Sequence, residues 1–228
     1  MNHSSVSEKT ARFALLTALA LVLGLLDRAV PLSALLGGFV PGIKLGLANT
    51  VLLYAVYLMN WKSAVLLMLT KVLLSGFLFG SLNAILYSLS GGVLSLAVML
   101  LVKRHPRMGA LCAAVLALGA DAVLLMLHPS PEGHLLWVII LILAAGLACL
   151  ASLWFMRRFP DHEIWGTSIA GAVAHNIGQV LTASIILRTP RLLTSYLPIL
   201  IGVGAAVGCL TGLTAARVFR ALRLKINA

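Results

Sequence analysis

Apolar runs of close to twenty residues recur along the whole chain, separated by short polar or basic connections. Wound as a helix at 1.5 Å per residue, a run of that length crosses the roughly 30 Å of hydrocarbon in a bilayer. In lipid every backbone amide and carbonyl has to be satisfied within the protein, and a helix does this inside one segment. The pattern therefore predicts an all-α, polytopic membrane helix bundle. Charge content agrees: 10% of the residues are charged, where a soluble domain carries about a quarter.

Eight candidate spans follow, at about 11–27, 43–59, 62–80, 83–102, 109–127, 134–156, 165–187 and 194–216, in one integral-membrane domain over 1–228. The links MNWKS and FGSLN are short, so spans two to four are expected as tight antiparallel hairpins. The longer DRAVPLSALLGGFVPGIK, with Pro31, Pro41 and closely placed glycines, suits a re-entrant or capping loop better than a helix. Span one follows Lys9 and Arg12 as a signal sequence would. It shows no small-x-small cleavage site leading into a soluble domain, so it is expected to be retained.

Basic residues give the orientation. With the N-terminus inside, the inner segments hold Lys9, Arg12, Lys62, Lys103, Arg104, Arg107, Arg157, Arg158, Arg217, Arg220, Arg223 and Lys225. The outer loops hold Arg28, Lys44, Arg188 and Arg191. This asymmetry predicts a cell-membrane protein with both termini in the cytoplasm and an even number of spans; six would satisfy the same parity. The formal charge of +11 thus comes from anchors between apolar runs. It does not form the single basic patch, interleaved with aromatics, that nucleic acid would require, and no nucleic-acid partner is expected. Cys112, Cys149 and Cys209 lie far apart inside apolar runs and read as small buried hydrophobes.

Small residues repeat every four positions in span seven (Gly166, Ala170, Ala174, Gly178) and span eight (Gly204, Gly208, Gly212, Ala216). Such ridges let helix backbones approach closely, and packing within the bundle is the expected use. Span one carries a shorter pair, Ala14 and Ala18. On a terminal span this pair suits bundle packing and an outward docking face equally.

Several polar residues fall where lipid should be. Lys71 lies near the middle of span three, too deep to reach either interface easily, and an intramembrane cation usually faces a partner or a water-filled cavity. His175 and Gln179 share a helical face, and Asn176 neighbours Gln179. This stripe in GAVAHNIGQV has two readings. It is either interhelical hydrogen-bond glue or one wall of a ligand cradle completed by Asn49, Lys71 and Asn83. His175 has no second His or carboxylate at ligand spacing, so no metal site is expected. Asp121 suits pairing with a nearby polar group better than ion coupling. His128 and His134 flank the turn PSPEG and read as interfacial.

Catalysis has little to rest on. The acidic residues Glu8, Asp27, Asp121, Glu132, Asp161 and Glu163 are scattered. No pair has the spacing to hold Mg²⁺ over a diphosphate, and no Gly-rich phosphate loop precedes Lys and Ser or Thr. The chain is expected not to be an enzyme and to need no cofactor.

PGIKLGLANTVLLYAVYL (41–58), LLSGFLFGSLNAILYSLSGGVLSLAVML (73–100), GTSIAGAVAHNIGQVLTASIIL (166–187) and SYLPILIGVGAAVGCLTGLTA (195–215) resemble the Gx transporter family, also labelled heptaprenyl diphosphate synthase component I. That family looks like a relative of the substrate-binding S components of energy-coupling factor transporters. The resemblance covers roughly 10–102 and 164–220. It implies a six-span S-component-like core, with the segment 103–163 as an inserted pair of spans. It implies capture of a small molecule from outside and passage inward with a transmembrane coupling protein and ATPase subunits. On this resemblance Ala14 and Ala18 match an Ala-x-x-x-Ala ridge that contacts the coupling protein. Asn49, Lys71, Asn83, His175, Asn176 and Gln179 would line the ligand pocket. Where the family leads one to expect a Glu after span one, this chain has Asp27. Two other roles stay open: a membrane component attached to prenyl diphosphate or menaquinone metabolism, and a structural scaffold.

Overall fold

The computed structural model describes residues 3–29, 46–79, 82–105 and 162–222, and all secondary structure among them is helical. The elements are α1 (His3–Ala29), α2 (Asn49–Leu58), α3 (Trp61–Phe79), α4 (Leu82–Arg104), α5 (His162–Ile186), the short α6 (Arg191–Ser195) and α7 (Leu197–Ala221). Helices α1, α3, α4, α5 and α7 are each long and apolar enough to cross a bilayer. The chain is a multi-pass membrane helix bundle. These five answer to expected spans one, three, four, seven and eight. Expected spans five and six, with Asp121, Cys112, Cys149, His128 and His134, and so most of the segment 103–163 expected as an insertion, lie outside the described residues, as does most of the loop before α2.

The second span departs from expectation. Hydropathy predicts a helix over 43–59, but α2 starts only at Asn49 and runs ten residues. That is about 15 Å, half of the hydrocarbon thickness. The break has a local cause: Gly46 sits at φ +88°, a left-handed conformation that glycine adopts at no steric cost. A turn through Leu47 and Ala48 then feeds the helix. Both ends of this half-length helix are held by other elements. At its C-terminal end Lys103 of α4 donates to the Val56 carbonyl at 3.0 Å and lies 5.2 Å from the Tyr57 ring centroid. An ammonium there also complements the negative end of the helix dipole. The Tyr57 hydroxyl reaches Thr167 at 3.0 Å, and the Tyr54 ring meets Phe219 edge-on at 5.1 Å, tying α2 to α5 and α7.

Among the described helices α5 is the most enclosed: 67% of its span is buried, against 17% for α1. Glycines explain how α4 and α7 close on it from two sides. A methyl group on Gly178 would lie 2.8 Å from the Ser90 carbonyl oxygen and 2.9 Å from Gly91 Cα, so α4 and α5 touch backbone to backbone. On the other side, methyls on Gly208 and Gly212 would meet the Cα atoms of Ile169 and Trp165 at 2.7 and 3.0 Å. The small-residue ridges of α5 and α7 therefore do pack inside the bundle. Leu15, Phe77 and Ile185 are at least 70% exposed on the outer faces, where lipid is the natural solvent for apolar side chains.

Gly208 and Gly202 of α7 give a paired test of this packing. Gly208→Ala must push the α5 backbone away and should cost about 1–3 kcal/mol by overpacking. Gly202 has open space around it, so Gly202→Ala should be neutral or gain up to about 1 kcal/mol in helix propensity. Melting temperatures in detergent should fall for the first and hold or rise for the second.

Candidate functional site

A helix that begins inside the bundle exposes its first amides where water cannot reach them, and each has to find an acceptor. In α2 the turn itself supplies two, with Asn49 N donating to the Gly46 carbonyl at 2.8 Å and Thr50 N to the Leu47 carbonyl at 3.0 Å. The next two are answered from another helix. Leu47 N donates to Asp27 Oδ1 at 3.0 Å and Ala48 N to Asp27 Oδ2 at 3.3 Å. Asp27 belongs to the last turn of α1 and is 3% exposed. A carboxylate at the positive end of a helix dipole is electrostatically favoured, more so when partly or fully buried.

Lys71, near the middle of α3, is 7% exposed and donates from Nζ to Asn49 Oδ1 at 3.1 Å. The other half of the Asn49 amide, Nδ2, is buried and makes no hydrogen bond. Gly46 keeps the space beside it open, since a methyl there would stand 3.0 Å from Nδ2. His175 of α5 enters from the opposite side through the gap left by Gly91, where a methyl would lie 2.7 Å from His175 Nδ1. Its other ring nitrogen pairs with the Gln179 amide one turn along α5.

Asp27, Asn49, Lys71, Ser75, Ser88 and His175 line one cavity, walled elsewhere by Ala20, Gly24, Gly46, Ala48 and Val72. Five helices contribute: α1, α2, α3, α4 and α5. The cavity measures about 20 Å³, room for one or two waters. Pockets for metabolites are about 300–1,000 Å³. A metabolite therefore enters only if helices part or a side chain now in the site gives way. Among the described residues no three His, Cys, Asp or Glu side chains gather as a metal site would need. The chemistry on offer is recognition of a polar group by one cation, one anion, an imidazole and an amide, at about mid-length of α3 and α5.

The residues singled out from sequence divide three ways. Asn49, Lys71 and His175 meet at the cavity, with Gln179 one hydrogen bond behind. Asn176 faces away, donating from Nδ2 to the Leu200 carbonyl of α7 at 2.7 Å; that half of the polar stripe is interhelical glue. Asn83 is exposed near the start of α4 and does not line the cavity. Ala14 and Ala18 are exposed on α1, on the side away from buried Leu16 and Ala20. Ser75 and Ser88 were missed. Ser75 had a signal, standing four residues after Lys71 on the same face.

The family model described as heptaprenyl diphosphate synthase component I matches residues 16–128 and 122–218. The chain belongs to that family. Searches of curated proteins and of solved structures return no match. Asp27, Asn49, Lys71, Ser75 and Ser88 lie in the first matched stretch and His175 and Gln179 in the second, so the buried cluster lies wholly within the family match.

Lys71→Met removes the Nζ–Asn49 bond and leaves a buried amide unpaired at both ends. It should cost about 1.5–3 kcal/mol, the range for hydrogen bonds to charged groups. Asn83→Ala should stay within about 0.5 kcal/mol, as exposed substitutions do. Thermal melts of the two variants in one detergent check the contrast.

Proposed function

We propose that this chain is the substrate-binding membrane subunit of an uptake system of the energy-coupling factor type. The single observation that carries the reading is the mid-bundle cavity where Asp27, Asn49, Lys71 and His175 converge from separate helices. A membrane protein whose polar residues served only to join helices would use them as Asn176 is used, one donor to one carbonyl across a single interface. Gathering opposite charges and an imidazole around a hollow carries a desolvation cost, and a bound polar molecule gives that cost a use.

In this reading the subunit sits in the cell membrane with both termini in the cytoplasm and takes its small molecule from outside. A coupling protein and ATPase subunits drive release inward. Helix α1 fits the docking role: it is the least buried of the described spans, and Ala14 and Ala18 form a small-residue face turned outward. At the N-terminal half of α1, on the side toward the end of α2, a cleft of about 500 Å³ opens among Lys9, Arg12, Phe13, Leu58 and Met59. It offers both charge and apolar surface to a partner.

The family description favours a second reading, a non-catalytic membrane component working beside a prenyl diphosphate synthase. The two part experimentally. Native mass spectrometry after gentle extraction should find a bound metabolite on the wild type and none on Lys71→Leu or His175→Ala that still run monodisperse. Ala14→Leu with Ala18→Leu should abolish copurification of a coupling protein while the metabolite stays bound. Copurification of a soluble synthase, with chain elongation that depends on this subunit, would instead support the second reading. Loss of thermal stability alone in every variant would leave only a scaffold.

A further inference from the structure

The turn that opens α2 is built to hold a small anion, and in this structure the anion is the protein's own. Leu47 N, Ala48 N and Asn49 Nδ2 are donors at the start of a ten-residue helix, and the side chain of Lys71 lines the same cavity. Asp27 satisfies the two backbone donors. Asn49, 3% exposed, keeps its Nδ2 donor without an acceptor. That unanswered donor marks the site as made for more than Asp27 supplies.

We propose that this turn is an anion seat for the head group of the ligand, a carboxylate or phosphate, and that Asp27 occupies it until the ligand arrives. The inference deepens the uptake reading above and rests on the cavity being a ligand site. Two physical arguments favour exchange over addition. First, 20 Å³ admits water but neither a carboxylate nor a phosphate, so a head group fits only where the Asp27 carboxylate now lies. Second, Asp27 and Lys71 together carry no net charge. A second anion added beside Asp27 would bury an uncompensated negative charge, whereas one taking its place preserves the balance. Phosphate and carboxylate groups both suit a helix start with free amides and a nearby cation.

Exchange has a mechanical consequence. The Asp27 contacts hold the last turn of α1 against the start of α2. Once the ligand takes those amides, that end of α1 loses these two bonds to α2. The same helix bears the exposed Ala14 and Ala18 face, so an occupied seat and a freed α1 go together.

Chemical rescue tests the seat. Asp27→Ala empties it, and the purified variant is melted in acetate, inorganic phosphate or chloride at matched ionic strength. Acetate or phosphate should raise its melting temperature saturably, by about 4 °C or more, with chloride inert and the wild type at least 10-fold less sensitive. Whichever anion acts at the lower concentration identifies a carboxylate or a phosphate head. Adding Lys71→Met should remove the response. If Asp27→Ala does not survive extraction in chloride, the yield of monodisperse protein extracted in acetate or phosphate becomes the readout. No anion-specific gain in melting or in yield, a gain equal to that of the wild type, or a gain that persists without Lys71 would each overturn the seat. A metabolite still captured by native mass spectrometry would then leave the uptake reading standing, so the two fail separately.

Discussion

Two backbone amides and one carboxylate hold the interior of this bundle together. Because α2 begins inside the protein, the Leu47 and Ala48 amides need acceptors that lipid cannot supply, and Asp27 provides both. The carboxylate in turn has to be neutralised at that depth, and Lys71 lines the same small cavity. Lys71 is anchored by Asn49, the first residue of α2. Each member is tolerable only because the others are present. Without the half-length helix the acid and the base would be buried groups stripped of their α2 partners, with large desolvation costs.

Close helix approach is the second requirement, and glycine meets it. His175 reaches the cavity only because Gly91 leaves its ring a place to stand, and Gly178 lets α4 lie against α5 along that same stretch. On the far face, Gly204, Gly208 and Gly212 draw α7 onto α5, and Asn176 finishes that contact with a bond to the Leu200 carbonyl. One polar stripe on α5 is thus split between two tasks by the helices it faces. His175 and Gln179 serve the hollow, and Asn176 serves the seam.

This split shows what a sequence of this kind reveals and what it hides. Span positions and the small-residue ridges follow from periodicity, because lipid enforces apolar length and glycine spacing reports on helix contact. Lys71 stands out because a mid-span cation has few uses. The direction in which Asn176 points depends on where α7 crosses α5, which spacing along one helix cannot give. Asn83 has the same limitation: its composition matched a pocket residue, but its position near the start of α4 puts it outside. The half-length of α2 was hidden for another reason. Residues 43–59 are apolar apart from Lys44, Asn49 and Thr50, and hydropathy registers an apolar run whether or not a left-handed glycine interrupts it. Asp27 drew notice only as a departure from a family pattern; its role as the cap of α2 needs the fold.

Helix α1 connects these observations. Among the described spans it is the one that the others grip least, and its C-terminal end is tied to the interior through the Asp27 carboxylate. Its other end bears an ion pair between Glu8 and Arg12 on an exposed surface, which contributes little to holding the helix in place. A span with few buried contacts and a charged tether can shift without dismantling the core, because α4 and α7 each pack on α5 independently of it. Placing the tether in the cavity makes the position of α1 depend on what occupies that cavity. The helix that could signal occupancy to a partner is therefore the one whose attachment the occupant would change.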